Sequence, residues 1–117
     1  MIMLQYTPCG IWEASKTVKH LSGERVQSLA RSGHAIIVDV REGAEYREGH
    51  IPRAKHISLS QLVYRLKEVP KDKTVVVVCR SGNRSSKAAE LLGEAGYRNV
   101  YNLSGGMDKW NGPVDKS

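Results

Sequence analysis

Cysteine is scarce: Cys9 and Cys79 are the only two in 117 residues, and they stand in unlike settings. Two are too few for a disulfide framework and fit a reducing compartment in which Cys79 is free. No apolar run approaches the roughly 20 residues of a membrane helix, which excludes a helical span. No dense run of Lys or Arg occurs either. The net charge of +6 comes from 18 basic residues spread between Lys16 and Lys116, so anionic partners are favoured at long range, while the clustered face that nucleic-acid binding needs is missing. Met1 to Gly10 has no basic segment leading into an apolar one, and Tyr6-Thr7-Pro8 before Cys9 is unlike a lipoprotein cleavage site, so a cytoplasmic protein is expected. His20, His34 and His56 have no ligand spacing with one another or with the cysteines, which argues against a zinc or iron site. There is no internal repeat, low-complexity tract or interdomain linker. What remains is an ordinary soluble composition, 40% hydrophobic and 26% charged, in a chain sized for one compact domain.

After a polar lead of about seventeen residues, Ser22 caps a helix over Glu24 to Ser32 with Val26, Leu29 and Ala30 on one face, and Gly33 ends it. Ala35 to Val40 reads as a buried strand, because Ile36, Ile37 and Val38 are consecutive rather than alternating. A short helix follows over Gly43 to Glu48. His50-Ile51-Pro52 then turns the chain toward a strand at Lys55 to Ile57. Ser60 is expected to cap the next helix, with Leu62, Val63 and Leu66 as its apolar stripe and Pro70 as its stop. Thr74 to Val78 is the most strand-like segment. A helix over Ser85 to Ala95 buries Ala88, Leu91, Leu92 and Ala95, Gly96 stops it, and Val100 to Leu103 is a final strand. Strands alternating with helices of this length argue for a mainly parallel sheet covered on both faces, with sites outside the carboxyl ends of its strands.

Cys79 falls at such an end. It opens the stretch Cys79-Arg80-Ser81-Gly82-Asn83-Arg84-Ser85-Ser86, between a strand and a helix. A helix N-terminus and nearby Arg lower a thiol pKa and favour the nucleophilic thiolate. Gly82 lets the backbone curl with its amides inward, Arg80 and Arg84 add charge, and the helix start offers unpaired N–H groups. Such a loop suits a small anion, and the same donors would stabilise the terminal sulfur of a cysteine persulfide.

Four blocks in order give the chain a resemblance to the rhodanese family of sulfurtransferases: Ile37-Val38-Asp39-Val40-Arg41, Glu45 to Ala54, Cys79 to Ser85, and Leu103 to Trp110. The resemblance covers residues 18–113, with 1–17 as a lead and 114–117 as a tail, and looks like the family's single-domain form. It implies an α/β, three-layer fold: a mostly parallel five-stranded sheet with helices on both faces. It also implies sulfur transfer. The Cys79 thiolate takes the outer sulfur of a small anionic donor such as thiosulfate, or of a protein or low-molecular-weight persulfide, and passes it to a thiol, cyanide or protein acceptor, with no metal or organic cofactor. Backbone amides of Arg80, Ser81, Gly82, Asn83 and Arg84 would hold the sulfur, and the two guanidiniums would steer the donor. Asp39, Arg41 and Ser85 are supporting residues. Related cell-cycle phosphatases and arsenate reductases have five residues between cysteine and arginine, where four separate Cys79 from Arg84. Some two-domain members carry a substrate-binding arginine where this chain has Glu45 and Tyr46, which opens the choice of donor.

Two alternatives stay open: a non-catalytic rhodanese module for partner binding or sensing, and a phosphatase or arsenate reductase. His50 is read as part of its turn rather than as a base, Cys9 as incidental, Trp110 and Met107 as packing the last helix onto the sheet, and Trp12 as an anchor for the lead.

Overall fold

The computed structural model describes residues 18–116. They form β1 (Lys19–Leu21), α1 (Gly23–Ser32), β2 (Ala35–Asp39), α2 (Gly43–Glu48), β3 (Lys55–His56), α3 (Leu59–Leu62), a 3-10 turn at Leu66–Glu68, β4 (Thr74–Val78), α4 (Asn83–Glu94), β5 (Val100–Leu103) and a second 3-10 turn at Gly106–Lys109. The strands lie in the order β1-β5-β4-β2-β3, and each neighbouring pair is parallel.

β4 is the centre of the sheet because its residues can be buried on both faces. Val75, Val76, Val77 and Val78 are wholly buried, and β-branched side chains suit a pleated surface covered from both sides. Alternation then sorts them. Val75 and Val77 join Val38, Val40, Leu62, Ala88, Ala89 and Leu92 in the core under α3 and α4. Val76 and Val78 join Val26, Ile37, Ile51 and Leu103 under α1 and the chain's last turn. The result is three layers, as the resemblance implies. No helix among the described residues is long and apolar enough to cross a membrane.

Local signals place most boundaries. Ser22 Oγ accepts from the Arg25 amide at 3.2 Å and starts α1, and Gly33 ends it. β4 and β5 fall where consecutive apolar residues put them. Three expectations need correction. Ser60 lies inside α3, and Ser58 holds the N-cap position, its carbonyl accepting from Gln61 N at 2.9 Å. Val63 is 53% exposed, because α3 ends at Leu62 and the chain tightens into the 3-10 turn before Leu66. α4 starts at Asn83, two residues before the expected Ser85, since Gly82 in a left-handed conformation turns the chain directly into the helix.

β1 had no expectation at all. Lys19 and His20 are exposed and polar, so nothing in their hydropathy marks a strand; backbone pairing with Tyr101, Asn102 and Leu103 of β5 makes them one. Propensity is overridden by an available sheet edge.

Candidate active site

β4 delivers its next residue, Cys79, to the carboxyl end of the sheet's central strand. Two backbone bonds then set the loop. The carbonyl of Cys79 accepts from Met107 N at 2.8 Å, and that of Arg80 accepts from Asp108 N at 2.9 Å. With those carbonyls held by the turn after β5, the amides that follow are left for sulfur. Gly82 N–H donates to Cys79 Sγ at 3.0 Å, and the backbone N–H groups of Ser81 and Ser85 lie near enough to help lower the thiol pKa. Ser85 Oγ lies 3.3 Å from it. Gly82 has φ +107°, a left-handed conformation that a Cβ makes costly.

Gly106 makes the carbonyl anchoring possible. Its φ is +60°, and a Cβ there would stand 2.5 Å from Cys79 O and 2.6 Å from Arg80 O. Both are backbone atoms, so neither can yield without moving the loop.

Opposing effects set the state of the thiol. Burial pushes the Cys79 thiol up, but the Ser85 hydroxyl and the amides of Ser85, Gly82 and Ser81 outweigh it, so the pKa lies below its ordinary value. The N-terminus of α4, twelve residues long, begins at the same loop and adds its dipole. One side of Cys79 packs into the apolar core with Val77 and Ala88, and no part of the residue is exposed.

The two guanidiniums of the loop have carboxylate partners. Arg84 makes a bidentate pair with Glu45 of α2, at 2.8 and 2.9 Å, and still senses charge on Cys79. That hydrogen bonding holds the Glu45 carboxyl down at about 2. Arg80 points outward, 69% exposed by its side chain, with Asp108 at 3.6 Å. Ser81 in the loop and Asn83, the first residue of α4, are exposed.

Asp39 and Arg41 form a buried pair, Arg41 Nη2 to Asp39 Oδ2 at 2.7 Å, and the same nitrogen donates to Gly49 O at 2.7 Å. Their bonds tie the end of β2 to the Gly49 turn. His50 sits in that turn, with Nδ1 2.8 Å from Tyr46 O and its ring stacked on Tyr46 at 3.7 Å. Met107 and Trp110 pack against the core beneath α1, from a 3-10 turn rather than a longer helix. Cys9 and Trp12 lie outside the described residues. Among the described residues no three His, Cys, Asp or Glu side chains gather where a metal could bind.

The structure thus gathers Cys79, Ser81, Gly82 and Ser85 around one sulfur and Arg84 beside it. Sequence reasoning missed Glu45 as the partner of Arg84, Gly106 as the point of contact with the loop carbonyls, and Asn102, whose Oδ1 accepts from Ser85 Oγ. Only Gly106 carried a signal, the Gly105-Gly106 pair one residue after a strand.

A family model described as rhodanese-like domain matches residues 22–113. The chain belongs to the rhodanese family. It is 42% identical over 84 residues to a sulfurtransferase of Allochromatium vinosum, spanning 72% of this chain and 78% of that one. To the thiosulfate sulfurtransferase GlpE of Shewanella oneidensis it is 34% identical over 93 residues, spanning 80% and 92%. A rhodanese-related protein from Thermoplasma volcanium matches in structure with a TM-score of 0.78 at 28% identity, over 85% of this chain and 99% of that one. The rhodanese resemblance carried by the four sequence blocks is therefore correct.

Two outcomes follow for this rhodanese domain. Gly106→Ala should lose about 2–4 kcal/mol of stability in urea unfolding, from backbone overlap added to a left-handed conformation; wild-type stability would contradict the anchoring role. Glu45 ionises in the folded state at about 2 rather than the ordinary 4.5, so its contribution is complete above 4.5 and vanishes as pH falls toward 2. Glu68, held by Arg65 and Lys55, titrates in the same window. Glu45→Gln should therefore be less stable than wild type near neutrality, with the gap closing on acidification; a gap independent of pH would count against the ion pair.

Proposed function

We propose that this rhodanese moves sulfane sulfur by way of a persulfide on Cys79. The observation that carries the reading is the set of N–H and O–H donors converging on Cys79 Sγ, which favours the anionic sulfur needed for attack. Relatives named as sulfurtransferases support the same reaction class.

In the first half-reaction the Cys79 thiolate attacks the outer sulfur of thiosulfate. The S–S bond to the sulfonate breaks, its electron pair leaves with sulfite, and Cys79 retains an S–S⁻ group. In the second, an acceptor such as cyanide attacks that outer sulfur, the new S–S bond breaks, and the thiolate returns. Each half conserves charge, and neither needs a proton donor, which leaves His50 in its turn. The amides of residues 81–85 stabilise anionic sulfur in both halves at no reorganisation cost. Arg80, Ser81, Gly82, Asn83 and Arg84 are the donor-binding residues in this reading, Asp39 and Arg41 hold the adjoining strand end, and residues 18–113 are the working unit in the cytoplasm.

Two features bear on the donor. Cys79 has no exposed surface, so a donor reaches its sulfur only when the groups packed around it shift, and Arg80, Ser81 and Asn83 are the exposed residues of the adjoining segment. Arg84 is already paired with Glu45, so a sulfonate must compete for it, while Arg80 is the more available cation. Another persulfide donor, less dependent on that competition, fits the site as well as thiosulfate. The burial of Cys79 also favours one second reading, a module that binds a partner without turnover.

Incubation with thiosulfate, or with cysteine persulfide, should add the mass of one sulfur atom at Cys79, measured on the intact protein, and cyanide should remove it as thiocyanate. Cys79→Ser should neither gain the mass nor form thiocyanate. A wild-type protein that stays unmodified with both donors would leave the partner-binding module standing instead.

A further inference from the structure

Ser85 is not the end of the polar contacts at Cys79. Its hydroxyl also bonds Asn102 Oδ1, and Asn102 Nδ2 lies 3.2 Å from His20 Nδ1, 3.3 Å from Gly82 O and 3.3 Å from Ser86 Oγ. Asn102 on β5 stands opposite His20 on β1. Cys79 and Ser85 are wholly buried and Asn102 is 3% exposed, whereas His20 is exposed. A line of side chains therefore runs from the buried sulfur to solvent.

Counting protons along it exposes a constraint. The Ser85 hydroxyl has one proton and two neighbours placed to receive it, Sγ and Asn102 Oδ1. With Cys79 as thiol, all groups are satisfied in one direction: S–H to Ser85 Oγ, Ser85 O–H to Asn102 Oδ1, and Asn102 N–H to His20 Nδ1. With Cys79 as thiolate, the hydroxyl must turn to the sulfur. Ser85 Oγ and Asn102 Oδ1 would then face each other as buried acceptors without a proton between them, a costly arrangement.

Rotating the Asn102 amide by half a turn removes the conflict at Ser85 and moves the acceptor oxygen to the more open side of Asn102, where Ser86 and His20 can supply protons that offset its approach to Gly82 O. Nδ2 then donates to Ser85 Oγ, and Oδ1 faces His20 Nδ1, Ser86 Oγ and Gly82 O. Ser86 Oγ, which donates to Gly82 O at 2.8 Å, can turn to that oxygen. His20 must now carry its proton on Nδ1. In a neutral ring this takes one proton from solvent at Nδ1 and returns one from Nε2, so the net proton released is that of Cys79.

We infer that Asn102 and His20 are positioning residues for Cys79: the Asn102 amide and the tautomer of His20 together set which way the Ser85 hydroxyl points, and so which form of the sulfur is satisfied. The inference rests on the reading of Cys79 as the reactive thiol. Charged groups around the line are Arg84, paired with Glu45, Arg80 with Asp108, and Lys19 next to His20, its ammonium 5.6 Å from the Tyr101 ring centroid. None of them supplies or removes the Ser85 proton, which leaves the amide and the imidazole to order it.

The test is imidazole nitrogen NMR on the wild-type protein through the titration of Cys79, followed by iodoacetamide alkylation of Cys79 in Asn102→Asp and Asn102→Leu. The His20 proton should move from Nε2 to Nδ1 as Cys79 ionises, and Cys79→Ser should show no such move. Asn102→Asp, which can only accept, should alkylate roughly tenfold or more slowly at neutral pH, a shift of about one pKa unit or more. Asn102→Leu, which asks nothing of the hydroxyl, should not be slowed. A His20 tautomer that ignores Cys79, or an Asn102→Asp rate equal to wild type, would overturn the inference. Alkylation is blind to sulfur transfer, so a protein that fails to form a persulfide yet shows these shifts would refute the proposed function and leave this inference intact.

Discussion

Two backbone hydrogen bonds, from Met107 and Asp108 to the carbonyls of Cys79 and Arg80, decide what the loop can do. A peptide chain offers donors and acceptors in equal number, so a loop whose amides converge on one atom must send its carbonyls elsewhere. Here the turn after β5 receives them. That turn approaches closely enough because residue 106 is glycine, and it is held in register by β5 lying beside β4. The parallel sheet thus supplies more than a platform. By putting the ends of β4 and β5 side by side, it lets residues more than twenty positions apart divide the loop's polar groups between fold and sulfur.

Burial at Cys79 would by itself keep the thiol protonated. The Ser85 hydroxyl and the convergent N–H donors reverse the balance, and they do so more strongly because water is kept away. The same enclosure limits access to the sulfur. The Glu45–Arg84 pair belongs to this economy of charge: it locks α2 to the start of α4 and leaves the strongest cation near the sulfur partly neutralised. A site built this way relies on backbone dipoles for the sulfur anion and keeps side-chain charge at its edge.

Much of this was legible in the chain. Runs such as Ile36 to Val38 and Val75 to Val78 announce buried parallel strands, Ser22 and Gly33 bracket a helix, and Cys79 to Ser85 announces a turn from strand to helix with donors near a thiol. These signals are local, each depending on residues within one turn or one strand. What escaped depends on distance in sequence. β1 is a strand only because β5 offers an edge, Glu45 matters through a partner 39 residues away, and Asn102 reaches Ser85 across 17. Polar residues in strands, such as His20 and Asn102, read as surface until register places them opposite each other. Spacing conveys what a segment does with itself, and topology what it does with others.

Ultraviolet absorbance of the Cys79 thiolate, titrated in the wild-type protein with Cys79→Ser as the blank, tests the central claim most directly. The account predicts a midpoint below the roughly 8.5 of an unperturbed cysteine. A midpoint at or above that value would mean that enclosure wins over the convergent donors, and the loop would lose its claim to hold an anionic sulfur.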